Sequence, residues 1–166
     1  MRDARRKPPA SLRATAVRML ARREWARAEL RDRLARAGGE RDEIERVLDA
    51  LERDGYLSDA RYAQMIVAQK AGRFGPRAIA YALRERGVAA QASTDALEAL
   101  RGVDQFAQAR QLLSRRFADP PADDRERARQ VRFLLGRGYP LSIALKVVRG
   151  VSGSPRRPPE EPTEES

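Results

Sequence analysis

The stretch LRDRLARAGGERDEIERVLDAL, residues 30–51, decides the fold, because its pattern returns further along the chain. After 49 residues, IAYALRERGVAAQASTDALEAL (79–100) repeats it without gaps. The matching pairs are Leu30/Ile79, Leu34/Leu83, Gly38/Gly87, Leu48/Leu97 and Leu51/Leu100. A further shift of 51 residues gives Leu134, Gly138 and Val148, with Val151 at the place of Leu100. A period near fifty residues in a helical sequence predicts a small helical unit that is stacked several times.

Such a unit is too small to bury its apolar face alone, so neighbouring units complete one another's core. We therefore expect an all-α protein of three tandem three-helix repeats, similar to helix-turn-helix modules, in an elongated and curved arrangement. Molecules of this kind usually present a surface to a large partner. The repeat thus favours a binding protein over an enzyme.

The repeat, together with the residues that begin and end its helices, divides the chain into five segments. Ser11 is a suitable N-cap for the first helix, Gly38-Gly39 ends the second, and Pro76 suits the first turn of the fifth. No stretch alternates with period two, so we expect no sheet. The predicted segments are a disordered basic N-terminus (1–10), three repeats (11–57, 58–101 and 102–151) and a disordered Pro- and Glu-rich tail (152–166).

Composition excludes several kinds of chemistry. The 166 residues contain no cysteine and no histidine, which removes thiol chemistry, the commonest general base and the commonest zinc ligands. Phosphate-loop and dinucleotide-binding motifs are also absent from the sequence. We expect no catalytic, cofactor or metal site. The longest apolar runs are too short to span a membrane and no signal peptide is recognisable, so the expected location is the cytoplasm.

Charge indicates the class of partner. The net charge is +10, and only three of the 34 basic residues are lysine. Within the first repeat, residues 12–39 carry +5 whereas residues 40–54 carry −4. A basic, arginine-rich chain favours nucleic acid or an acidic protein as the partner.

The clearest basic face falls in the third repeat. Arg125, Arg129 and Arg132 recur at i, i+4 and i+7 beside a predicted core face of Val131 and Leu135. Phe133 is expected beyond this stripe, on the side away from the core. An arginine row with an aromatic neighbour can hold a phosphate backbone or an acidic groove. The alternative is that Phe133 packs on a neighbouring helix and the arginines are simply solvated.

Two further basic corners surround aromatic residues at equivalent repeat positions, Trp25 and Phe74. Both rings are interpreted first as structural plugs between helices, although tryptophan is also a frequent interface anchor. Ten basic residues of the three repeats are candidates for a partner- or DNA-binding surface, and one of them follows the last stripe. They are Arg22, Arg23, Arg27, Lys70, Arg73, Arg77, Arg125, Arg129, Arg132 and Arg137.

The junction between the first two repeats is interpreted as structural. Tyr56 and Tyr62 bracket it, and Ser58 and Asp59 have the character of a helix cap.

Four stretches of the sequence resemble the RecX family of bacterial RecA regulators. They are 21–30 (ARREWARAEL) with Leu34; 55–63 (GYLSDARYA); Lys70, 75–77 (GPR), Ile79, Leu83 and 86–88 (RGV); and 132–139 (RFLLGRGY) with Ile143. Together they span roughly residues 15–149 in the family's order. Ala26 departs from the family pattern, which usually has serine at this place.

The resemblance implies three tandem three-helix units and no catalytic motif. It also implies a regulator that binds RecA and RecA–DNA filaments and mostly inhibits recombinase, ATPase and co-protease activity in DNA repair, recombination and the SOS response. A monomer that also binds single- or double-stranded DNA weakly fits this description. Two alternatives stay open: a direct DNA-binding protein with helix-turn-helix-like modules, and a generic helical adaptor for another acidic partner.

Overall fold

The computed structural model describes residues 11–152, which contain nine α-helices and no strand. The helices are α1 (Leu12–Leu20), α2 (Arg27–Arg36), α3 (Arg41–Arg53), α4 (Asp59–Lys70), α5 (Pro76–Glu85), α6 (Ala90–Glu98), α7 (Gln105–Arg116), α8 (Asp124–Gly136) and α9 (Leu141–Ser152). The predicted all-α repeat fold is confirmed. The termini predicted to be disordered, 1–10 and 152–166, lie outside the described residues except for Ser152.

The repeated leucine and glycine form the same helix-ending turn after α2, α5 and α8. Gly38, Gly87 and Gly138 adopt φ values of +90°, +66° and +85°, a region that glycine enters without the steric penalty of a Cβ. In each turn, the amide that follows the glycine donates 3.1 Å to a leucine carbonyl five residues earlier: Gly39 to Leu34, Val88 to Leu83 and Tyr139 to Leu134. All three leucine side chains are fully buried. The sequence period is therefore a period of hydrogen-bonded turns.

The chain divides into two compact units. One unit holds α1–α3, α4 up to Gln69, and Ala80–Ala99; the other holds Lys70–Ile79 and the chain from Leu100 onward. Helices α4 and α5 each contribute to both units, so the second repeat is shared between them. We refer to these as unit 1 and unit 2.

The core of unit 1 contains the apolar stripe of α3. Ile44, Leu48 and Leu51 are buried against Leu30 and Leu34 of α2. Leucine and isoleucine at this spacing lie on one face of a helix, which explains why α3 is the most clearly amphipathic helix of the sequence. Burying a leucine or isoleucine side chain contributes roughly 2 kcal/mol each.

A single carboxylate caps two helices of unit 1. Ala26, the N-cap of α2, provides no side-chain hydrogen bond. Instead, Oδ1 of Asp59 accepts a 2.8 Å bond from the amide of Arg27, and its Oδ2 accepts a 2.8 Å bond from the amide of Ala89, the N-cap of α6. A carboxylate at helix N-termini satisfies unpaired amides and favourably meets the helix dipole. The predicted structural role of the Ser58–Asp59 junction follows from these bonds, since Ser58 also accepts from the amide of Arg61.

The core of unit 2 differs from the prediction at one position. Val131 and Leu134 of α8 pack with Leu113, Val147 and other buried side chains of α7 and α9. Leu135, predicted on this core face, is instead 38% exposed. The helix is rotated so that Leu134 points inward, and Leu135 lies 100° around the axis from it.

Unit 2 also contains a close approach between two backbones. The amide of Gly75 donates 2.7 Å to the carbonyl of Arg137, and the amide of Arg77 donates 3.3 Å to the carbonyl of Gly138. The carboxyl end of α8 thereby caps the amino end of α5, where Pro76 has no amide to satisfy. A Cβ on Gly138 would overlap the backbone nitrogen of Ala78. This joint therefore requires glycine for its space as well as for its φ angle.

We expect Gly138→Ala to destabilise the protein more than Gly38→Ala. Both changes place a Cβ in the left-handed region, at a cost of about 1–2 kcal/mol. Only at position 138 does the new Cβ also overlap a backbone, since nothing lies within 4 Å of a Cβ at position 38. Urea unfolding followed by circular dichroism should show a loss of about 1 kcal/mol for Gly38→Ala and more than about 2 kcal/mol for Gly138→Ala. Equal losses would contradict the close approach.

Candidate anion-binding surface

The structure distributes the candidate basic residues unequally. Arg22, Arg23 and Arg27 lie in unit 1, and the other seven cations lie with Phe133 in unit 2. Each unit therefore has its own set, and the two sets differ in how far neighbouring carboxylates neutralise them.

Arg27 does not belong to an exposed basic face. Its guanidinium lies 2.6 Å from Glu52, 2.7 Å from Glu45 and 2.7 Å from Asp49, all on α3, and its side chain is 20% exposed. Burial would lower the pKa of Arg27, but the hydrogen bonds to Asp49 and Glu45 outweigh it and raise that pKa. The Arg27 side chain is thus directed toward α3, whose carboxylates neutralise its charge. At this cluster the basic part of the first repeat (residues 12–39, +5) contacts the acidic part (residues 40–54, −4).

Trp25 occupies the plug position that the repeat predicts. Its indole packs against the core of unit 1, and its Nε1 donates 3.2 Å to the carbonyl of Met19. The Arg23 guanidinium stacks 3.4 Å from the ring centroid. Arg22 is exposed beside it. Two cations of this corner thus stay at the surface.

In unit 2, three rings and four cations form a continuous cation–aromatic row. The Lys70 ammonium lies 4.8 Å from the Phe74 centroid, and the Arg137 guanidinium lies 5.3 Å from both Phe74 and Phe133. Phe133 meets Phe117 edge-on at 5.5 Å. Arg116 and Arg129 approach Phe117 at 5.3 and 5.5 Å. Cations within about 6 Å of a ring are attracted by its quadrupole, so each ring holds its cations in place.

Phe133 packs against neighbouring helices, which was the alternative to its expected place beyond the arginine stripe. It was expected on the side away from the core, but it is half-buried and packs against the core of unit 2. Phe117 and Arg116 were not among the candidates. They follow one another at the end of α7, and only the packing of α7 against α8 brings them to Phe133 and Arg129. The sequence signal that could have found them is a phenylalanine directly after two arginines, Arg115 and Arg116.

The arginine stripe of α8 is exposed as its spacing predicts. Arg125, Arg129 and Arg132 all face solvent, opposite the buried Leu134. Within residues 11–152, none of the three has a carboxylate within ion-pair distance. Two carboxylates at the amino end of α8 have other partners: Asp123 caps the helix, and Asp124 pairs with Arg127. Arg73 and Arg77 are exposed in the same unit. Unit 2 therefore presents positive charge that the described residues do not neutralise.

Metal-ligand clusters and membrane-spanning helices are both lacking in the part of the chain that the structure describes. No group of three or more acidic side chains there could hold a metal ion. No helix in that part is long and apolar enough to cross a membrane. What the described residues offer is a set of cations on a helical scaffold.

Fold and surface together define an all-α tandem-repeat protein with a basic, aromatic-lined surface. Family models for the first, second and third three-helix domains of RecX match residues 13–51, 58–97 and 103–148, in that order. The chain belongs to the RecX family.

Curated relatives and solved structures agree. The Regulatory protein RecX of Leptothrix cholodnii is 46% identical over 143 residues, covering 86% of this chain and 90% of that protein. The Regulatory protein RecX of Chromobacterium violaceum is 41% identical, covering 84% and 90%. The crystal structure of RecX from Lactobacillus salivarius superposes with a TM-score of 0.72 at 20% identity, covering 84% of this chain and 94% of that one. The last comparison concerns the fold alone.

The Arg27 cluster predicts an acid-sensitive part of the stability. Hydrogen bonds from Arg31 and Arg27 lower the pKa of Glu45 below the ordinary glutamate value of 4.5. A carboxyl group whose pKa is lower in the folded state stabilises the fold above its unfolded pKa and loses that effect as the pH falls through its folded pKa. Unfolding free energies measured from pH 7 to pH 3 should fall below about pH 4.5, and less steeply in Glu45→Gln.

Glu43→Gln is the matched control, because Glu43 is exposed on the same helix and its side chain makes no hydrogen bond or ion pair within residues 11–152. It should follow the wild-type pH dependence. An identical pH dependence in Glu45→Gln and the wild type would contradict the assigned role of Glu45.

Proposed function

We propose that this chain binds RecA and RecA–DNA filaments and modulates, mostly inhibits, their recombinase, ATPase and co-protease activities. In this proposal it is a non-enzymatic protein that acts in the cytoplasm as a monomer. Membership of the RecX family supports the regulatory role, since the curated relatives bear the name Regulatory protein. The observation that carries the proposal is the exposed, unneutralised arginine stripe of unit 2.

A filament of protein on DNA repeats the same anionic features along its length. Exposed ion pairs contribute only about 0.2–1 kcal/mol each, so one arginine would have little effect. Several arginines on one rigid helix act together, because the first contact raises the effective concentration of the next. The stripe Arg125, Arg129 and Arg132 provides this arrangement. Binding across neighbouring subunits would then hinder filament growth or turnover.

The test is RecA ATP hydrolysis on single-stranded DNA, with and without this protein. We expect inhibition by the wild type. Replacing Arg125, Arg129 and Arg132 together by alanine should raise the concentration needed for half-inhibition about tenfold, the sum of three modest contacts. The effect should shrink at high salt, where exposed charges are screened.

A second triple variant, Arg36→Ala with Arg46→Ala and Arg53→Ala, removes the same charge from exposed positions on α2 and α3. It should inhibit as the wild type does. Unchanged ATP hydrolysis with a several-fold excess of wild-type protein over filament subunits would refute the proposed function. Equal losses in both variants would refute the role of the stripe.

The cation–aromatic row favours direct nucleic-acid binding as a second candidate function. Cations along a groove together with aromatic side chains are the usual means of holding single strands, although the three rings here are half-buried. Tight DNA binding without RecA, falling steeply with salt, would favour this candidate over RecA binding.

A further inference from the structure

A cavity of about 440 Å³ lies in unit 1, where α1 and α2 meet. Its charged lining consists of Arg22, Arg23 and Arg33, and its apolar lining includes Met19 and Trp25. It is distant in sequence from the arginine stripe and the cation–aromatic row, which belong to unit 2. The function proposed for those surfaces therefore does not account for this cavity.

Every charged side chain in the lining of this cavity is positive. No carboxylate is among the residues that form it. Within residues 11–152, neither Arg22 nor Arg33 has an ion-pair partner, and Arg23 approaches Glu29 only to 3.7 Å. Several other arginines of unit 1 lie close to a carboxylate, among them Arg13, Arg27 and Arg61, each within 2.8 Å. Three arginines gathered around one cavity with a single distant carboxylate constitute a site for a negatively charged group.

The apolar wall is fixed before any ligand arrives. The hydrogen bond from Trp25 Nε1 to the Met19 carbonyl and the packing of the indole on the core hold the ring in place. A preformed apolar wall with a few polar groups is typical of a site that takes in a side chain, because little conformational entropy is lost on binding.

The wall also distinguishes between two kinds of anionic partner. Phosphates bind exposed arginines without needing an apolar cavity. A nucleobase would need a free ring face, but the Arg23 guanidinium covers Trp25 at 3.4 Å and the ring also packs on the core. A peptide with a large apolar side chain and neighbouring carboxylates uses both the wall and the charges. The lining thus fits acidic peptide better than nucleic acid.

We propose that this cavity binds an acidic segment of a protein partner. A large apolar side chain of the segment enters beside Trp25 and Met19, and its flanking carboxylates pair with Arg22 and Arg33. This inference goes beyond the proposed function, because it requires neither DNA nor the surface of unit 2. It assigns protein recognition to the first repeat.

Trp25 is the only tryptophan in the chain, so its fluorescence reports directly on this cavity. The full-length protein is titrated with a blocked peptide of sequence Glu-Glu-Leu-Phe-Glu-Glu. We expect a saturable change in Trp25 emission below about 1 mM peptide. Arg22→Ala with Arg33→Ala should weaken binding about tenfold, since two charge contacts are lost.

Three controls decide the outcome. Arg46→Ala with Arg53→Ala, which removes two exposed charges on α3, outside the lining of the cavity, should bind the peptide as the wild type does. A peptide with serine in place of leucine and phenylalanine should bind at least tenfold more weakly. A ten-nucleotide thymidine strand should not change Trp25 emission at similar concentrations. Unchanged secondary structure, measured by circular dichroism, verifies that each variant is folded.

Three results would overturn the proposal. One is the absence of a saturable response to the acidic peptide. Another is equal binding of the serine peptide, which would show that charge alone is recognised. The third is a response to the thymidine strand that disappears in the Arg22/Arg33 variant, which would assign the site to nucleic acid. None of these results bears on ATP hydrolysis by RecA, so failure here leaves the proposed function standing.

Discussion

The hydrogen bond from the residue after a glycine to a buried leucine carbonyl is the constraint on which this structure depends. It recurs after α2, α5 and α8 with the same 3.1 Å length. The leucine serves twice, since its side chain fills the core while its carbonyl ends the helix. The glycine allows the left-handed conformation that directs the chain into the next helix. One local turn, used three times, thereby sets both the helix boundaries and the apolar face that each repeat buries.

Some charged and polar groups stabilise the fold, and others remain exposed at the surface. Asp59 caps α2 and α6, and the carboxylates of α3 neutralise Arg27, so these charges support the fold of unit 1. The carboxyl end of α8 caps α5 through backbone groups alone, and Arg125, Arg129 and Arg132 of α8 have no carboxylate partner within the described residues. The arginines that form no ion pair within the fold are the ones available for binding. This division explains why the net charge of +10 coexists with strongly paired regions.

Sequence reasoning found what local rules determine and missed what depends on packing. Helix order, the Ser11 cap and the Gly38 turn follow from periodicity and from the conformational preferences of single residues. The environments of Arg27, Phe133 and Leu135 depend on how a helix is rotated against its neighbours, and no local rule fixes this rotation. Phe117 lies at the candidate surface only because α7 packs against α8. In the third repeat, Gln130 stands at the buried position of Leu30 and Ile79, which made that copy harder to recognise.

Amide hydrogen exchange tests the central claim most directly, because it observes the three turn hydrogen bonds themselves. The amides of Gly39, Val88 and Tyr139 are followed by NMR in the full-length protein. The account predicts that all three exchange far more slowly than unstructured peptide, because each is bonded to a buried leucine's carbonyl. Exchange of any one of them at the rate of unstructured peptide would contradict the claim that the same turn builds every repeat.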